Sequence, residues 1–265
     1  MLISTPCTQA QLESPSFRAW AAALGERPGH LHRKIWEWCF IAQALEERGM
    51  LEPGRSGLGL AVGREPLVAA FAARGCTILA TDLATEEAAR GGWVETNQHA
   101  ATPERLNDRG LCPDDRFRQN VDFRFADMRA LPPDLGRFDF VWSSCALEHL
   151  GSLRAGLDFV RASLALLKPG GVAVHTTEYN LSSNLFTRIR GDAVIYRRRD
   201  LERLARQLRG QGYALTLAFD PGDGPGDQAV DRPPYTHDPH LKLQLGRYVA
   251  TSYGLIVEKR EAEPA

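Results

Sequence analysis

The fold is decided by residues 56–82, which begin Ser56-Gly57-Leu58-Gly59-Leu60-Ala61-Val62-Gly63-Arg64-Glu65-Pro66 and end Gly75-Cys76-Thr77-Ile78-Leu79-Ala80-Thr81-Asp82. The apolar run before Gly63 is typical of a strand buried in a parallel sheet. Gly63 allows a sharp turn, and Pro66 suits the first turn of a helix. A second apolar strand ends at Asp82, about 20 residues after the turn, where a carboxylate can accept ribose hydroxyls. The pattern predicts a nucleoside-binding βαβ unit.

The composition is that of an ordinary soluble protein. The chain has 265 residues, 43% of them hydrophobic and 25% charged, which suits one large domain with appendages. A formal net charge of −1 gives no reason to expect a nucleic-acid partner. No apolar run approaches the roughly 18 residues of a membrane helix, and the N-terminus lacks the pattern of a secretory signal. We expect a cytoplasmic protein without a membrane partner, and the Ala, Gly and Arg bias is typical of a GC-rich bacterial gene.

The five cysteines are scattered, and no pair has the spacing of a metal or redox motif. Reduced thiols in a cytoplasmic protein are the simplest interpretation.

The N-terminal part is predicted to be helical. Residues 1–13 show no periodicity, and we expect a loose terminus there. Over 31–48, apolar residues recur at three- and four-residue spacing, which predicts an amphipathic helix. Because this helix leads into the glycine turn, Trp36 either packs the helix onto the sheet or covers a bound ligand. We expect residues 1–54 to form an N-terminal helical cap.

Further strands alternate with helices along the rest of the chain. Apolar runs of strand length recur at 121–126, 138–144, 172–177, 213–219 and 247–259. This alternation predicts an α/β fold: a Rossmann-like, seven-stranded, mostly parallel sheet with helices on both faces and an antiparallel C-terminal strand. The domain is expected to span 55–260, with 181–240 as substrate-side insertions or a lid.

Two classes of protein compete at the glycine turn. A dinucleotide dehydrogenase would show Gly-x-Gly-x-x-Gly, whereas this chain has Gly57-x-Gly59-x-x-x-Gly63. The spacing argues against a nicotinamide-dependent oxidoreductase, which we keep as an alternative.

The chain instead resembles the class I S-adenosylmethionine-dependent methyltransferases, most clearly over 55–180. Four segments carry the resemblance in order: the turn from Gly59 to Gly63 with Asp82; Ala126-Asp127-Met128; Phe138 to Ser144 with Leu147-Glu148-His149-Leu150; and Leu167-Lys168-Pro169-Gly170-Gly171. The resemblance implies S-adenosylmethionine as cofactor and its demethylated form, S-adenosylhomocysteine, as product.

The resemblance also implies roles for particular residues. Asp82 would take the ribose hydroxyls, Asp127 the adenine amine, and Met128 would lie against the adenine ring. Ser143 and Ser144 fall where the family contacts the methionine part of the cofactor. The remaining predicted cofactor contacts are Trp36, Gly59, Ala61, Gly63 and Leu83.

The chain departs from the family at the end of its first strand. Family members usually carry an acid there, followed by alternating glycines, whereas this chain has a Gly-Arg-Glu-Pro variant with only Gly63 in register. The acid that would face the cofactor's ammonium group is missing, and Glu65 is the candidate to replace it.

Catalytic candidates lie just past the fourth and fifth strands, because ligands of open α/β sheets sit beyond the carboxyl ends of the strands. These candidates are His149, His175 and Glu178, with a role as general base if the acceptor is an alcohol. His175, Glu178, His237 and His240 are also conceivable metal ligands. Two histidines do not suit magnesium, so no metal is predicted.

The sequence favours a methyltransferase that acts on a small molecule, most simply on a hydroxyl of a sugar or natural product. O-methyl transfer is preferred to N-methyl transfer, and a homodimer is left open. The alternative to an enzyme is a non-catalytic protein of the same fold that binds the cofactor.

Overall fold

The computed structural model describes residues 1–95, 99–100 and 102–260. Its regular elements, in chain order, are β1 (Thr5–Pro6), α1 (Gln9–Glu13), α2 (Pro15–Ala23), α3 (Arg33–Glu46), β2 (Ser56–Gly59), α4 (Leu67–Ala73), β3 (Thr77–Asp82), α5 (Thr85–Arg90), α6 (Asp114–Asn120), β4 (Val121–Phe125), β5 (Phe138–Ser143), α7 (Leu153–Leu164), β6 (Leu167–Asn180), α8 (Arg198–Arg209), β7 (Tyr213–Ala214), α9 (Pro225–Gln228), β8 (Val230–Asp231), β9 (Lys242–Leu245) and β10 (Tyr248–Lys259). Two 3₁₀ turns lie at Pro103–Asn107 and Leu147–His149.

One sheet runs through the molecule in the order β4-β3-β2-β5-β6-β10-β9-β8. The strands β2 to β6 pair in parallel, and β10 pairs antiparallel with β6. The short strands β1 and β7 pair with β10 as well. The predicted fold class, a mostly parallel α/β sheet with an antiparallel C-terminal strand, is confirmed, whereas the described sheet has ten strands instead of the predicted seven.

Helices cover both faces of this sheet. On one face, α2, α3 and α4 pack over the aromatic rings of β5, Phe140 and Trp142. On the other face, α7 and α8 pack over Val141 and Ala173. Because successive strand residues point to opposite faces, a continuous apolar strand such as β5 feeds both cores. Among the described helices, none combines the length and apolar character that a membrane span requires.

The glycines inside β2 make room for aromatic side chains of the neighbouring strand. A Cβ at Gly57 would lie 2.3 Å from the Phe140 ring, and one at Gly59 would lie 2.6 Å from the Trp142 ring. Large rings on β5 therefore require glycine at these two places, independently of any ligand.

Residues 1–13 are ordered, contrary to the expectation of a loose terminus. Thr5 and Pro6 pair with β10, and Cys7 N donates to the carbonyl of Ser252 at 2.8 Å. Thr8 caps α1 with a capping box. The contacts with β10 join positions about 250 residues apart in sequence, so local periodicity could not reveal them.

Two further expectations change near the C-terminus. The sixth strand is shorter than 213–219, because β7 comprises only Tyr213–Ala214. The segment 220–239 contains α9 and β8 and is tied to the N-terminus: Asp227 accepts from Gln9 N at 3.0 Å. Residues 93–120, whose polar sequence predicts one weak helix and a long loop, contain the 3₁₀ turn Pro103–Asn107 and helix α6 in their described part. The tail expected after Arg260 lies outside the described residues.

Candidate active site

A cavity of about 640 Å³ opens at the carboxyl ends of β2, β3, β4 and β5. Each of these strands is followed directly by wall residues, as open α/β sheets require of a ligand site. The predicted residues on the wall are Ala61, Gly63, Glu65, Asp82, Leu83, Asp127, Met128, Ser144 and His149. The structure thus brings nine of the fourteen predicted site residues together, and their contacts with a ligand remain predictions.

The glycine turn after β2 is tightly wound. Both Ala61 and Gly63 have left-handed backbone conformations, with φ of 51° and 53°. This conformation is strained for alanine and free of strain for glycine. The Gly63 N–H points to the Asp82 carboxylate and donates to Oδ2 at 3.2 Å. The turn is thus fastened to the end of the neighbouring strand.

Asp82 is almost fully buried and accepts three backbone hydrogen bonds. Gly63 N and Ala100 N donate to Oδ2, and Leu83 N donates to Oδ1 at 2.8 Å. Burial raises the pKa of this carboxyl, and the N–H groups of Ala100, Leu83 and Gly63 act against that rise. A carboxylate offers about four lone-pair sites, so one remains for a hydroxyl from the cavity.

Asp127 and Met128 follow β4 and form another wall. Both carboxylate oxygens of Asp127 receive the Arg129 guanidinium, with the Nη2–Oδ2 distance at 2.7 Å. This hydrogen-bonded pair holds the pKa of Asp127 below its ordinary range. The buried Met128 offers an apolar, polarizable surface beside it.

Glu65 is a buried acid on the wall. Trp142 Nε1 donates to Glu65 Oε1 at 2.6 Å. Burial raises the pKa of Glu65 to about 8, although the Trp142 hydrogen bond and the Lys34 charge oppose the rise. A carboxyl that is costly to ionise in the protein alone is suited to a cationic ligand, which would supply the missing positive charge.

Helix α3 closes the cavity with Lys34 and Trp38. Lys34 Nζ lies 2.7 Å from Oε2 of the fully buried Glu37, which also accepts from Ser252 and from Cys145 Sγ. Burial alone would raise the pKa of Glu37, but the charges of Lys34 and Arg33 lower it to about 2. Sequence reasoning missed Lys34 and Trp38, because nothing in the local pattern shows that α3 returns over the ends of β2 and β5.

His149 stands on the wall with one ring nitrogen fixed. Its Nδ1 lies 2.6 Å from the carbonyl oxygen of Asp192, which can only accept, so Nδ1 carries the proton. Nε2 is then the basic nitrogen, 4.0 Å from Oε1 of the buried Glu148. Burial raises the pKa of Glu148, and a charge on His149 acts against that rise. The Trp93 ring meets the imidazole edge-on at 4.6 Å between centroids.

Five predicted residues lie away from the cavity wall. His175 is fully buried between Ser143 Oγ, at 2.8 Å, and Ser163 Oγ, at 3.0 Å, and burial lowers its pKa to about 3. Trp36 is enclosed, with Nε1 donating to Gln11 at 2.8 Å. Glu178 is held by Arg33, whose Nη1 lies 2.7 Å from Oε2. We therefore assign no contact with a ligand in the cavity to five of the predicted residues: Trp36, Gly59, Ser143, His175 and Glu178.

Residues 30–218 match the model of a protein family described as "Methyltransferase domain". The chain belongs to this family. Among curated proteins no match was found. One similar solved structure is a candidate sarcosine dimethylglycine methyltransferase from Galdieria sulphuraria, with a TM-score of 0.52, 15% identity and 84% of each chain covered. Another is an S-adenosylmethionine-dependent methyltransferase from Mesorhizobium loti, with a TM-score of 0.51, 18% identity and coverage of 84% of this chain and 97% of that chain. A third is the magnesium protoporphyrin IX methyltransferase of Synechocystis PCC 6803 with bound SAH, with a TM-score of 0.50, 13% identity and coverage of 95% of this chain and 97% of that chain. At these identities the likeness shows the fold alone.

The class I methyltransferase prediction is confirmed by family and fold, and with it S-adenosylmethionine as the cofactor. The cavity fits this cofactor. The Asp82 carboxylate can accept a further hydrogen bond from a ligand, and the neighbouring turn leaves space there because Gly63 has no side chain. Lys34 and Glu65, a cation and an acid on the same cavity wall, suit the carboxylate and ammonium of an amino-acid group.

Proposed function

We propose that the protein methylates a hydroxyl group of a small molecule, with His149 as the general base. The observation that carries this proposal is the fixed tautomer of His149 on the cavity wall. A ring whose Nδ1 is tied to a backbone carbonyl presents Nε2 as a hydrogen-bond acceptor. An alcohol must lose its proton to be methylated, whereas an amine can attack with its lone pair, so a fixed base favours oxygen as the acceptor atom.

S-adenosylmethionine, when bound, supplies an activated methyl group. Asp82 would hold its ribose, and Asp127 with Met128 its adenine. Glu65 and Lys34 would hold the amino-acid end, with Ser144 beside them on the wall. These contacts would fix the donor against the neighbouring acceptor, and such positioning can contribute about 7–11 kcal/mol to lowering a barrier.

His149 would take the acceptor's hydroxyl proton on Nε2. The imidazolium that forms is stabilised by two groups already in place: the Asp192 carbonyl at Nδ1 and the buried Glu148 carboxyl near Nε2. This arrangement orients the ring through one nitrogen and leaves the other to react.

Apolar surface near His149 supports a natural-product acceptor with an aromatic or aliphatic body. Trp38, Trp93 and Leu150 contribute to the cavity wall. These side chains give this part of the wall a large apolar area, so we place hydroxylated molecules with an apolar body ahead of sugars.

The test is a methyl-transfer assay of the purified protein against a panel of phenols, aliphatic alcohols, sugars and amines. For His149→Gln we expect kcat to fall on the order of 100-fold or more, since general-base catalysis contributes about 10² to 10⁴ in rate. The dissociation constant of S-adenosylhomocysteine should not change. His30→Ala, which alters a histidine outside the cavity, is the matched control and should keep wild-type kcat.

Other outcomes decide against the proposal. Equal turnover by His149→Gln, or methylation of amines alone, would show that His149 is not the base of an oxygen transfer. Cofactor binding without turnover on any acceptor would favour the non-catalytic alternative. A nicotinamide cofactor has no support from the family match.

A further inference from the structure

Three histidines meet outside the methyltransferase cavity. His32 precedes α3, and His237 and His240 lie in the segment between β8 and β9. One ring nitrogen from each lies within 4.8 Å of the others. The ring centroids are 4.9 Å apart for His32 and His240 and 4.5 Å apart for His237 and His240. Ligand nitrogens about 2.0–2.1 Å from a tetrahedral metal are roughly 3.3 Å apart, so small side-chain movements would complete such a site.

Backbone pairing brings the two segments together. Arg33 N donates to the carbonyl of His240 at 3.0 Å, and His240 N donates to the carbonyl of Leu31 at 2.7 Å. His32 and His240 form a parallel bridge through this pairing. The approach of the His32 and His240 backbones is therefore fixed by main-chain hydrogen bonds.

Asp231 orients the ring of His240 and holds the backbone of His237. Its Oδ2 accepts from His240 Nδ1 at 2.5 Å and from the backbone N–H of His237 at 2.9 Å. Thr236 N donates to the other oxygen at 2.9 Å. Because Nδ1 of His240 is held by a carboxylate, Nε2 is left as its ligand atom. A carboxylate on the second nitrogen of a histidine is the usual outer partner in zinc sites.

His32 is held by a hydrogen bond of the opposite direction. Its Nδ1 accepts from Lys34 N at 3.2 Å as the cap of α3, so the neutral ring carries its proton on Nε2. Binding a metal through Nε2 moves this proton to Nδ1 and releases the hydrogen bond from Lys34 N. His237 is exposed and has a left-handed backbone, with φ of 63°, so its ring stands at the solvent side of the group. Three imidazoles with one solvent side match three protein ligands plus water.

A second group of potential ligands, Cys145, Glu148 and Glu178, does not have these properties. Cys145 Sγ donates to Glu37, Glu148 accepts from Thr177 at 3.1 Å, and Glu178 is paired with Arg33. A metal there would have to break an ion pair and two hydrogen bonds. The positive charge of Arg33 acts against a cation at His240, and the carboxylate of Glu178, which pairs with Arg33, offsets part of this repulsion.

We propose that His32, His237 and His240 bind one divalent transition-metal ion of the zinc class, with Asp231 as the residue that positions His240. Imidazole ligands select zinc, cobalt, nickel or copper over magnesium and calcium, which prefer oxygen. The ion fastens the segment between β8 and β9 to the start of α3. It is separate from methyl transfer and does not depend on the proposed function.

The test uses untagged full-length protein, stripped with a chelator and titrated with Co²⁺ and then Zn²⁺. We expect one Co²⁺ per chain, visible d–d absorption without a thiolate charge-transfer band, displacement by Zn²⁺, and a rise in melting temperature on metal addition. His237→Ala changes an exposed side chain and leaves the core intact. It should weaken metal binding on the order of tenfold or more and abolish the rise in melting temperature.

His30→Ala is the matched control, because its ring lies 5.8 Å from that of His32 but is not one of the three ligands. It should bind metal like the wild type. Three results would overturn the proposal: no Co²⁺ or Zn²⁺ binding at micromolar concentration, binding that is unchanged in His237→Ala, or a thiolate band showing that cysteines hold the ion.

Discussion

Replacing Glu65 by glutamine should make the cofactor-free protein more stable and its cofactor affinity lower. Glutamine keeps the size of the side chain and an oxygen that can accept the hydrogen bond from Trp142 Nε1. It removes only the ability to ionise. The variant therefore isolates the free energy that the protein spends on holding an acid in a buried position on the cavity wall.

The magnitude follows from the pKa of Glu65, which burial raises from 4.5 to about 8. A carboxyl with a raised pKa stabilises the folded state at low pH and loses that contribution as pH rises from 4.5 to 8. At pH 7 the carboxyl ionises in the unfolded chain but stays protonated in the folded chain. The free energy of unfolding is therefore lower by about 3 kcal/mol, since pH 7 is about 2.5 units above the unfolded pKa and each unit corresponds to about 1.36 kcal/mol. At pH 5 the same cost is below about 1 kcal/mol.

Glu65→Gln should therefore raise the melting temperature at pH 7 by about 6–12 °C at most, since 1 kcal/mol corresponds to roughly 2–4 °C in a protein of this size. The assay is thermal unfolding of both proteins between pH 5 and 8, without cofactor. The gain should grow steadily with pH. Calorimetry should also show weaker S-adenosylhomocysteine binding, because the variant lacks the charge for the ammonium group.

Glu37→Gln is the control of opposite sign. Glu37 is equally buried, but Lys34 and Arg33 lower its pKa to about 2, so its contribution is present above pH 4.5 and disappears toward pH 2. This variant should be less stable than the wild type at pH 7. A Glu65→Gln variant that is destabilised at pH 7, or whose difference from the wild type does not change with pH, would refute the reasoning about Glu65.

Two further predictions concern the β2 glycines and the α3 lysine. Gly59→Ala should lower stability by about 1–3 kcal/mol, because its Cβ would lie 2.4 Å from Val62 Cγ1 and 2.6 Å from the Trp142 ring. Gly210→Ala, whose Cβ would meet its nearest atom at 3.5 Å, is the control, and equal denaturation midpoints would contradict the packing argument. Lys34→Met should weaken S-adenosylhomocysteine binding by about 1.5–3 kcal/mol, as expected for a charged hydrogen bond, and leave adenosine binding unchanged. Equal losses for both ligands in calorimetry would show that Lys34 does not contact the amino-acid end.

The parts of the site that could be predicted from sequence lie directly after strands. Asp82, Asp127 and Ser144 each occupy the position that follows or ends an apolar run, and the parallel sheet brings such positions to one edge. Local pattern is sufficient there, because the distance from strand end to cavity is one or two residues. The structure accordingly places all three on the cavity wall.

The parts of the site that could not be predicted depend on which face of the sheet a strand residue points to and on packing between segments distant in sequence. Ser143 and Ser144 are neighbours in sequence, but alternation along β5 turns the first toward His175 and leaves the second on the wall. His175 lies inside β6, where both faces are covered, and the sequence does not show that Ser163 from α7 satisfies its second nitrogen. Lys34 reaches the cavity only through the way α3 crosses the sheet.

Helix α3 links the two halves of the molecule that the sequence appeared to separate. Its first turn and the residue before it provide His32 to the histidine cluster, Arg33 to Glu178 and Lys34 to the cavity wall. The family match begins at residue 30, just before this helix. Displacing the start of α3 would therefore disturb the cavity and the segment between β8 and β9 together. The predicted domain boundary at residue 54 would therefore place α3 in one unit and the residues that complete the cavity and the proposed metal site in the other. This boundary remains a prediction.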